Sequence, residues 1–577
     1  MILHGNRRLF AILFIVFALA AAGPLASGPR PLSSVDIDDI ATLLKLEDTR
    51  QFDAATLECI LKSSHPEVRR RAVISIGRIA KEPGRALLAE LRTDGDPDIV
   101  ASVAFASGQL KDAGAVAWLG GLLDNATTAP AIAREAAQSL GKIRTPEAQV
   151  ALARYLTNAS PKAPALVVGE ALLAIGRFTK DDLKRDLAPE DVAPIVQWAQ
   201  AKDEEIRWRV AWALFRPRNQ AAVPHLLKLA DDKSAEVRFW AVRGLSPAVV
   251  DQAGLDRATV SAQLLAATRD KDRRVRTESL RALLQYDDDG AFGALLAALA
   301  SKDTWISTSA AESAGRFQSR GASLTPALIA AAGPSQPIWM RQLLLAPLTT
   351  LAPDAAIEVA TSLAREDSAV ARTAAVQGLG RLGNAGRSRL EVLNGDPVLK
   401  GLLPTGGRGG GSGLPPRPPA PPRVDADYRQ LVERWIVPDY NGQKRPHAIW
   451  TTRRGKIELE LFPGDAPMGV EYFMQSVTSG DIVGTEFGRV VPNFVAQQDT
   501  IRYAPRLRDE VNRVGLLRGT LAWASAGLDT GRPGYTLGNT PQPHNEGNFT
   551  SLGRVVKGMD VVDHLEWGDK ILAAKIK

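Results

Sequence analysis

The stretch TEFGRVVPNFVAQ, Thr485 to Gln497, decides how the last quarter of this chain is read. It is a strand-like run that sets one fixed cation, Arg489, and one amide, Gln497, beside an apolar ring, Phe494. On its own it would be an ordinary β segment with an exposed arginine, but its neighbours add further signals. Upstream, Lys456-Ile457-Glu458-Leu459-Glu460-Leu461 alternates polar and apolar residues, the period of a half-buried strand. Pro463-Gly464-Asp465 breaks that run, and Val470 to Val477 reads as helix. RGTLAWASAGLDTG and FTSLGRVVKGMDVVDHL follow, and the terminal WGDKILAAKIK supplies a closing strand.

In this order the segments resemble the cyclophilins, the peptidyl-prolyl isomerase family, over 447–577. The resemblance implies a closed antiparallel β-barrel with flanking helices and, as activity, rotation about X-Pro amides. That rotation faces a barrier of roughly 18 to 20 kcal/mol and unaided takes tens of seconds or more. A donor aimed at the prolyl nitrogen favours the twisted state, in which the nitrogen lone pair has left conjugation. No metal, nucleophile or cofactor is needed, and none is expected. By position the family's roles fall on Arg489 as donor, Phe494 as floor of the proline pocket and Gln497 as partner of the substrate backbone. Val495 and Ala524 would line the same pocket.

Several positions depart from the family pattern. Gly488 replaces the histidine of its FHR motif, and Gln498 the first glycine of its QGGD turn. The GSQFF segment becomes Arg532-Pro533-Gly534-Tyr535-Thr536, so Gly534 replaces a pocket glutamine and Thr536 a pocket phenylalanine. His544 stands where drug-sensitive members carry tryptophan, Ser525 for an orienting asparagine, and Phe549 for a pocket histidine or tyrosine. Thr536, His544, Ser525 and Phe549 are therefore expected in the substrate site, with less apolar wall than the family usually has.

Upstream the pattern changes. Between 35 and 402, segments such as HPEVRRRAVISIGRI from His65, AEVRFWAVRGL from Ala235 and SAVARTAAVQGLGRLG from Ser368 recur. Val68, Ile99, Ile132, Val167, Ile206, Val237, Val275, Ile306, Ile338 and Val370 mark the repeats, about 31 to 39 residues apart. This is the signature of helix pairs stacked into a solenoid, and it resembles HEAT repeats. Arg69, Arg207, Arg238, Arg276 and Arg372 share one register, which predicts a structural ladder with acids of adjacent repeats. Trp208, Trp212, Trp240, Trp305 and Trp339 are expected in the solenoid core, with an aromatic-lined groove as the alternative. Glycines that close the second helices, Gly77 and Gly380, are expected to admit a neighbouring helix and to stop their own.

Residues 403–424, containing GGRGGGSGLPPRPPAPP, read as a spacer, flexible and then extended. Residues 425–446 read as a helical connector packed on one of the two domains. At the other end, Arg7-Arg8 precedes the apolar run Leu9 to Ala22, the layout of a signal peptide over 1–27. The expected location is the periplasm or the extracellular space; an uncleaved segment would instead anchor the chain to a membrane. The single cysteine, Cys59, excludes an internal disulfide and is expected to be buried. The net charge of +7 is spread along 577 residues, so nucleic-acid binding is not indicated.

Two functions follow. In one, the protein is an exported isomerase whose solenoid holds proline-containing client polypeptides, or other protein partners, for the tethered barrel. In the other, the altered pocket makes it a non-catalytic adaptor that docks proline-containing peptides.

Overall fold

The computed structural model describes residues 30–403, 423–498 and 508–577. The signal-like segment and most of the spacer lie outside the described residues. Ten helices form one layer of the solenoid: α1 (Pro66–Ile79), α2 (Pro97–Gln109), α3 (Pro130–Ile143), α4 (Ala165–Ile175), α5 (Glu204–Phe215), α6 (Ala235–Val242), α7 (Arg273–Leu283), α8 (Thr304–Ser313), α9 (Ile338–Leu351) and α10 (Ala369–Gly380). Each carries one of the ten anchor residues, and each packs on the next. Side-chain caps recur at their N-termini; Asp96, Asp203, Asp272 and Asp303 accept from backbone N–H groups of the first turn.

The arginine ladder is present. Arg69, Arg207, Arg238, Arg276 and Arg372 each donate to the carbonyl six residues earlier: Ser63, Ala201, Asp232, Asp270 and Glu366. Four also reach an aspartate of the following repeat: Asp94 at 3.5 Å, Asp232 at 2.8 Å, Asp270 at 2.7 Å and Asp303 at 3.5 Å. The five tryptophans are buried, so the solenoid has no groove built from them. Gly77 is required by close approach, since a Cβ there would lie 2.8 Å from Cα of Ala106 on α2. Gly380 faces open space, and α1 ends at the left-handed Ala80, so glycine stops neither helix in the way expected. Cys59 is exposed, contrary to expectation, because Leu57, Ile60 and Leu61 take the buried face of its short helix.

The connector is helical from Asp425 to Tyr440, with a wider π turn at Val432–Ile436. Its Tyr428, Leu431, Val432 and Ile436 share a core with Ile40, Leu43 and Leu44 of the first helix, Ser34–Thr49. The chain thus returns from the last repeat to the first before it enters the barrel.

Eight antiparallel strands follow: β1 (His447–Thr452), β2 (Gly455–Leu461), β3 (Arg489–Val491), β4 (Val495–Gln497), β5 (Thr520–Ala524), β6 (Arg532–Gly538), β7 (Ser551–Lys557) and β8 (Ala573–Ile576). Their order is β3-β4-β6-β5-β7-β2-β1-β8. The edge strands β3 and β8 do not pair directly. The sheet is thus a curled half-barrel and not the closed barrel expected, with the segments before its edges linked by the Glu486–Lys570 bridge and by backbone bonds between Phe487 and Gly568 and Asp569. Trp450, Phe487, Trp523 and Tyr535 fill the interior together with Phe473 of the helix Pro467–Thr478.

The barrel sits on the α1–α10 layer, held by contacts that run from Arg50 to Ser368. Arg78, 7% exposed, donates to the carbonyls of Asp465, Glu510 and Val511 and pairs with Glu47 at 2.9 Å. Arg50 reaches Asp529, Arg513 reaches Glu135, and Arg177 pairs with Glu546 at 2.6 Å. Trp567 packs on both the barrel core and the solenoid core. Charges buried in this way are costly unless fully paired, so such contacts fix one docking geometry.

Candidate active site

Strand pleating builds the site. Across the sheet, Arg489 pairs with Gln497, Gln497 with Thr536 and Thr536 with Ala522, a single row over β3, β4, β6 and β5. Residues in register share a face, and the alternate residues Val490, Ala496, Leu537 and Leu521 lie in the core. The row therefore faces outward. Arg489 Nη1 donates to Gln497 Oε1 at 3.4 Å, and its guanidinium lies 5.5 Å from the Phe494 ring centroid. Phe494 in turn stacks on His544, with centroids 6.2 Å apart and planes at 22°.

Arg489, Phe494, Gln497 and His544 are thus one connected cluster. Thr536 and the buried Val495 adjoin it through the sheet. The Thr536 hydroxyl donates to Ala522 O at 3.3 Å, so it is engaged by its own sheet. Ala524 lies beyond a bulge at which the pairing jumps from Tyr535 to Arg532. Ser525 is not joined to the cluster: its hydroxyl donates to Gly527 O and meets Thr530 Oγ1 at 3.0 Å, which shapes its own turn. Phe549 is half-buried and makes no ring contact with Phe494 or His544. Gly534, in place of the glutamine, offers no side chain.

Loss of hydration lowers the Arg489 guanidinium below its ordinary value while Glu312 of α8 acts the other way, and an arginine stays charged under both. The Arg489 side chain is exposed, with one donor on Gln497 and the apolar Phe494 ring alongside. A proline ring on Phe494 would bring its amide within reach of a fixed cation, the geometry that favours charge building on the prolyl nitrogen.

The solenoid also shapes this site, which the reading of the barrel sequence did not anticipate. Asn493, next to Phe494, is buried in the left-handed conformation (φ 59°) and donates to Arg274 O at 2.9 Å and Glu278 Oε2 at 3.3 Å. Arg281 donates to Pro492 O at 2.8 Å and pairs with Glu312 at 2.6 Å. The pocket loop is therefore clamped onto α7. The one available signal was register: Arg243 and Arg281 each follow a ladder arginine by five residues, on a different face of the helix.

His544 keeps an exposed edge, but crowding by the surrounding protein strips hydration from its ring and, with the nearby Arg216, Arg243 and Arg177, lowers it to about 4, which leaves the ring neutral near pH 7.

Comparison with known proteins finds relatives for both parts of the chain. The family model for cyclophilin type peptidyl-prolyl cis-trans isomerase/CLD matches residues 447–575. The model for HEAT repeats matches 54–126, 84–172 and 164–246. A peptidyl-prolyl cis-trans isomerase of Synechococcus elongatus is 36% identical over 137 residues, 22% of this chain and 94% of the relative. One from Helicobacter pylori is 35% identical over 150 residues, 24% of this chain and 92% of the relative. Peptidyl-prolyl cis-trans isomerase B of Bacillus subtilis is 32% identical over 130 residues, 21% of this chain and 91% of the relative.

Proposed function

Through its barrel the chain belongs to the cyclophilin-type peptidyl-prolyl cis-trans isomerases, and we propose that it acts after export on X-Pro bonds of client polypeptides entering the cleft between barrel and solenoid. The carrying observation is the cluster in which Arg489 stands over Phe494 and against Gln497. In this reading Arg489 polarises the prolyl amide, Phe494 seats the ring and Gln497 holds the substrate backbone. The solenoid serves as a scaffold that fixes the barrel and supplies the opposite wall of the cleft. The Arg7-Arg8 and Leu9–Ala22 layout supports export, and an uncleaved segment would leave the same cleft tethered at a membrane.

The non-catalytic reading has its own support: Gly534 and Thr536 leave the pocket a reduced wall, and the Thr536 hydroxyl is already engaged. A peptide isomerisation assay on the full chain decides between them. Acceleration that is lost in a folded Arg489→Ala variant supports the isomerase. A wild-type chain that binds X-Pro peptides without accelerating their isomerisation supports the adaptor.

A further inference from the structure

Arg216 follows the last residue of α5, and its guanidinium lies 5.8 Å from the Trp212 ring centroid. Two flanking arginines fix its position relative to the pocket. On one side, Arg177 pairs with Glu546, two residues beyond His544. On the other, Arg243 lies 5.4 Å from the ring of Phe215, the residue before Arg216. Arg243 also pairs at 3.1 Å with Glu278, whose second oxygen accepts from Asn493, the residue before Phe494. Arg216 is thus bracketed by the two points at which the His544 and Phe494 segments are fastened to the solenoid, which sets it across the cleft from that stacked pair.

The charge balance there is one-sided. Glu546 answers Arg177, Glu278 answers Arg243, and Asp182 answers Arg144 at 2.6 Å. Arg216 has no carboxylate ion pair among the described residues, and the charges that act on it most strongly are Arg243, Arg218, Arg144 and Arg177. Loss of hydration and this repulsion both lower its guanidinium. The side chain is nevertheless exposed to the cleft, and so are Arg489 and His544. At the other end of the site the acidic group facing Arg489, Glu312, is already taken by Arg281.

We infer that Arg216 makes the site select X-Pro substrates that carry an aspartate or glutamate within a few residues of the proline. The inference rests on the reading of Phe494 as the proline seat. A peptide that leaves this seat along the stacked His544, whose neutral ring offers no competing charge, meets an unneutralised guanidinium. A carboxylate gains an ion pair in a cleft walled on two sides, whereas a lysine at the same place adds to the repulsion.

The test uses the full chain and matched X-Pro peptides that differ only in glutamate, glutamine or lysine beside the proline. Both isomerisation (kcat/KM) and affinity by titration calorimetry are read. The wild type should prefer the glutamate over the lysine peptide by about three- to tenfold, with less preference at about 0.5 M salt. Arg216→Gln should bring the ratio close to one, and Arg216→Glu should reverse it. Equal handling of both peptides by the wild type, or a preference unchanged in both variants, overturns the inference while leaving the isomerase reading intact. Glutamate-selective binding that depends on Arg216 but comes without turnover upholds the inference and sinks catalysis. If no peptide binds, both fall.

Discussion

Replacing Arg78 by methionine tests whether barrel and solenoid form one folding unit. Methionine keeps an unbranched apolar stem and drops the guanidinium, so the loss is chiefly one of charge and hydrogen bonds. Arg78 holds Glu47 at 2.9 Å and bonds three carbonyls of the barrel, and both side chains of the pair are about 5% exposed. Breaking a buried pair from one side costs roughly 3 to 5 kcal/mol, because the stranded carboxylate keeps its desolvation penalty. The Ser75 hydroxyl, which also bonds Glu47, softens that penalty. The expected loss is therefore about 4 kcal/mol, with the carbonyl bonds included because such terms do not add. At an unfolding entropy of ~2 cal/mol/K per residue, roughly 500 residues melting together convert this to a fall of about 4 °C in Tm. Calorimetry and tryptophan fluorescence should report the same shift, since both domains carry buried tryptophans. Glu47→Gln added to the variant should recover part of the loss by removing the unpaired charge. An unchanged Tm, or a shift confined to one of two separate transitions, would refute the single-unit account.

The remaining predictions concern the same interface and the pocket loop. Burial raises Asp509 to about 6 and Glu510 to about 7, so the folded chain keeps protons that the unfolded chain releases. Their stabilisation is full below the ordinary carboxylate range and lost as pH climbs through about 6 and 7, so Tm should rise by several degrees from about pH 8 to about pH 5. Glu458, held to about 2 by hydrogen bonds from Lys577 and His447, acts oppositely and loses its contribution as pH falls below about 4. Asn493→Gly relieves a left-handed backbone but forfeits the bonds to Arg274 and Glu278. Peptide assays should show a several-fold loss of kcat/KM with little change in Tm.

Local patterns were legible in the sequence because their causes are local. The ten anchor residues fall on ten stacked helices, since a 31 to 39 residue period needs no long-range information. Four of the five ladder arginines reach an acid of the adjacent repeat as predicted, while Arg372 bonds only the Glu366 carbonyl among the described residues. Strand alternation in Lys456–Leu461 placed Ile457, Leu459 and Leu461 in the core. Cys59 was misjudged because an eight-residue helix has too few turns to fix its apolar face. The local bond of Ser525 was not legible either, since a short hydroxyl in a glycine-containing turn bonds its own backbone first. The solenoid's grip on the pocket depends on residues more than 200 positions apart, such as Arg281 and Pro492, and no periodicity reports such a contact.

Equilibrium exchange spectroscopy on the full chain tests the central claim most directly, because it separates turnover from binding in one sample. Cis and trans resonances of an X-Pro peptide should exchange rapidly with a catalytic amount of the wild type. Arg489→Ala should slow that exchange by about 10² or more, the usual cost of losing one transition-state donor, while peptide-induced shifts of the protein persist. Exchange that is absent in the wild type, or undiminished in a folded Arg489→Ala chain, would contradict the assignment of this cleft as an isomerase site.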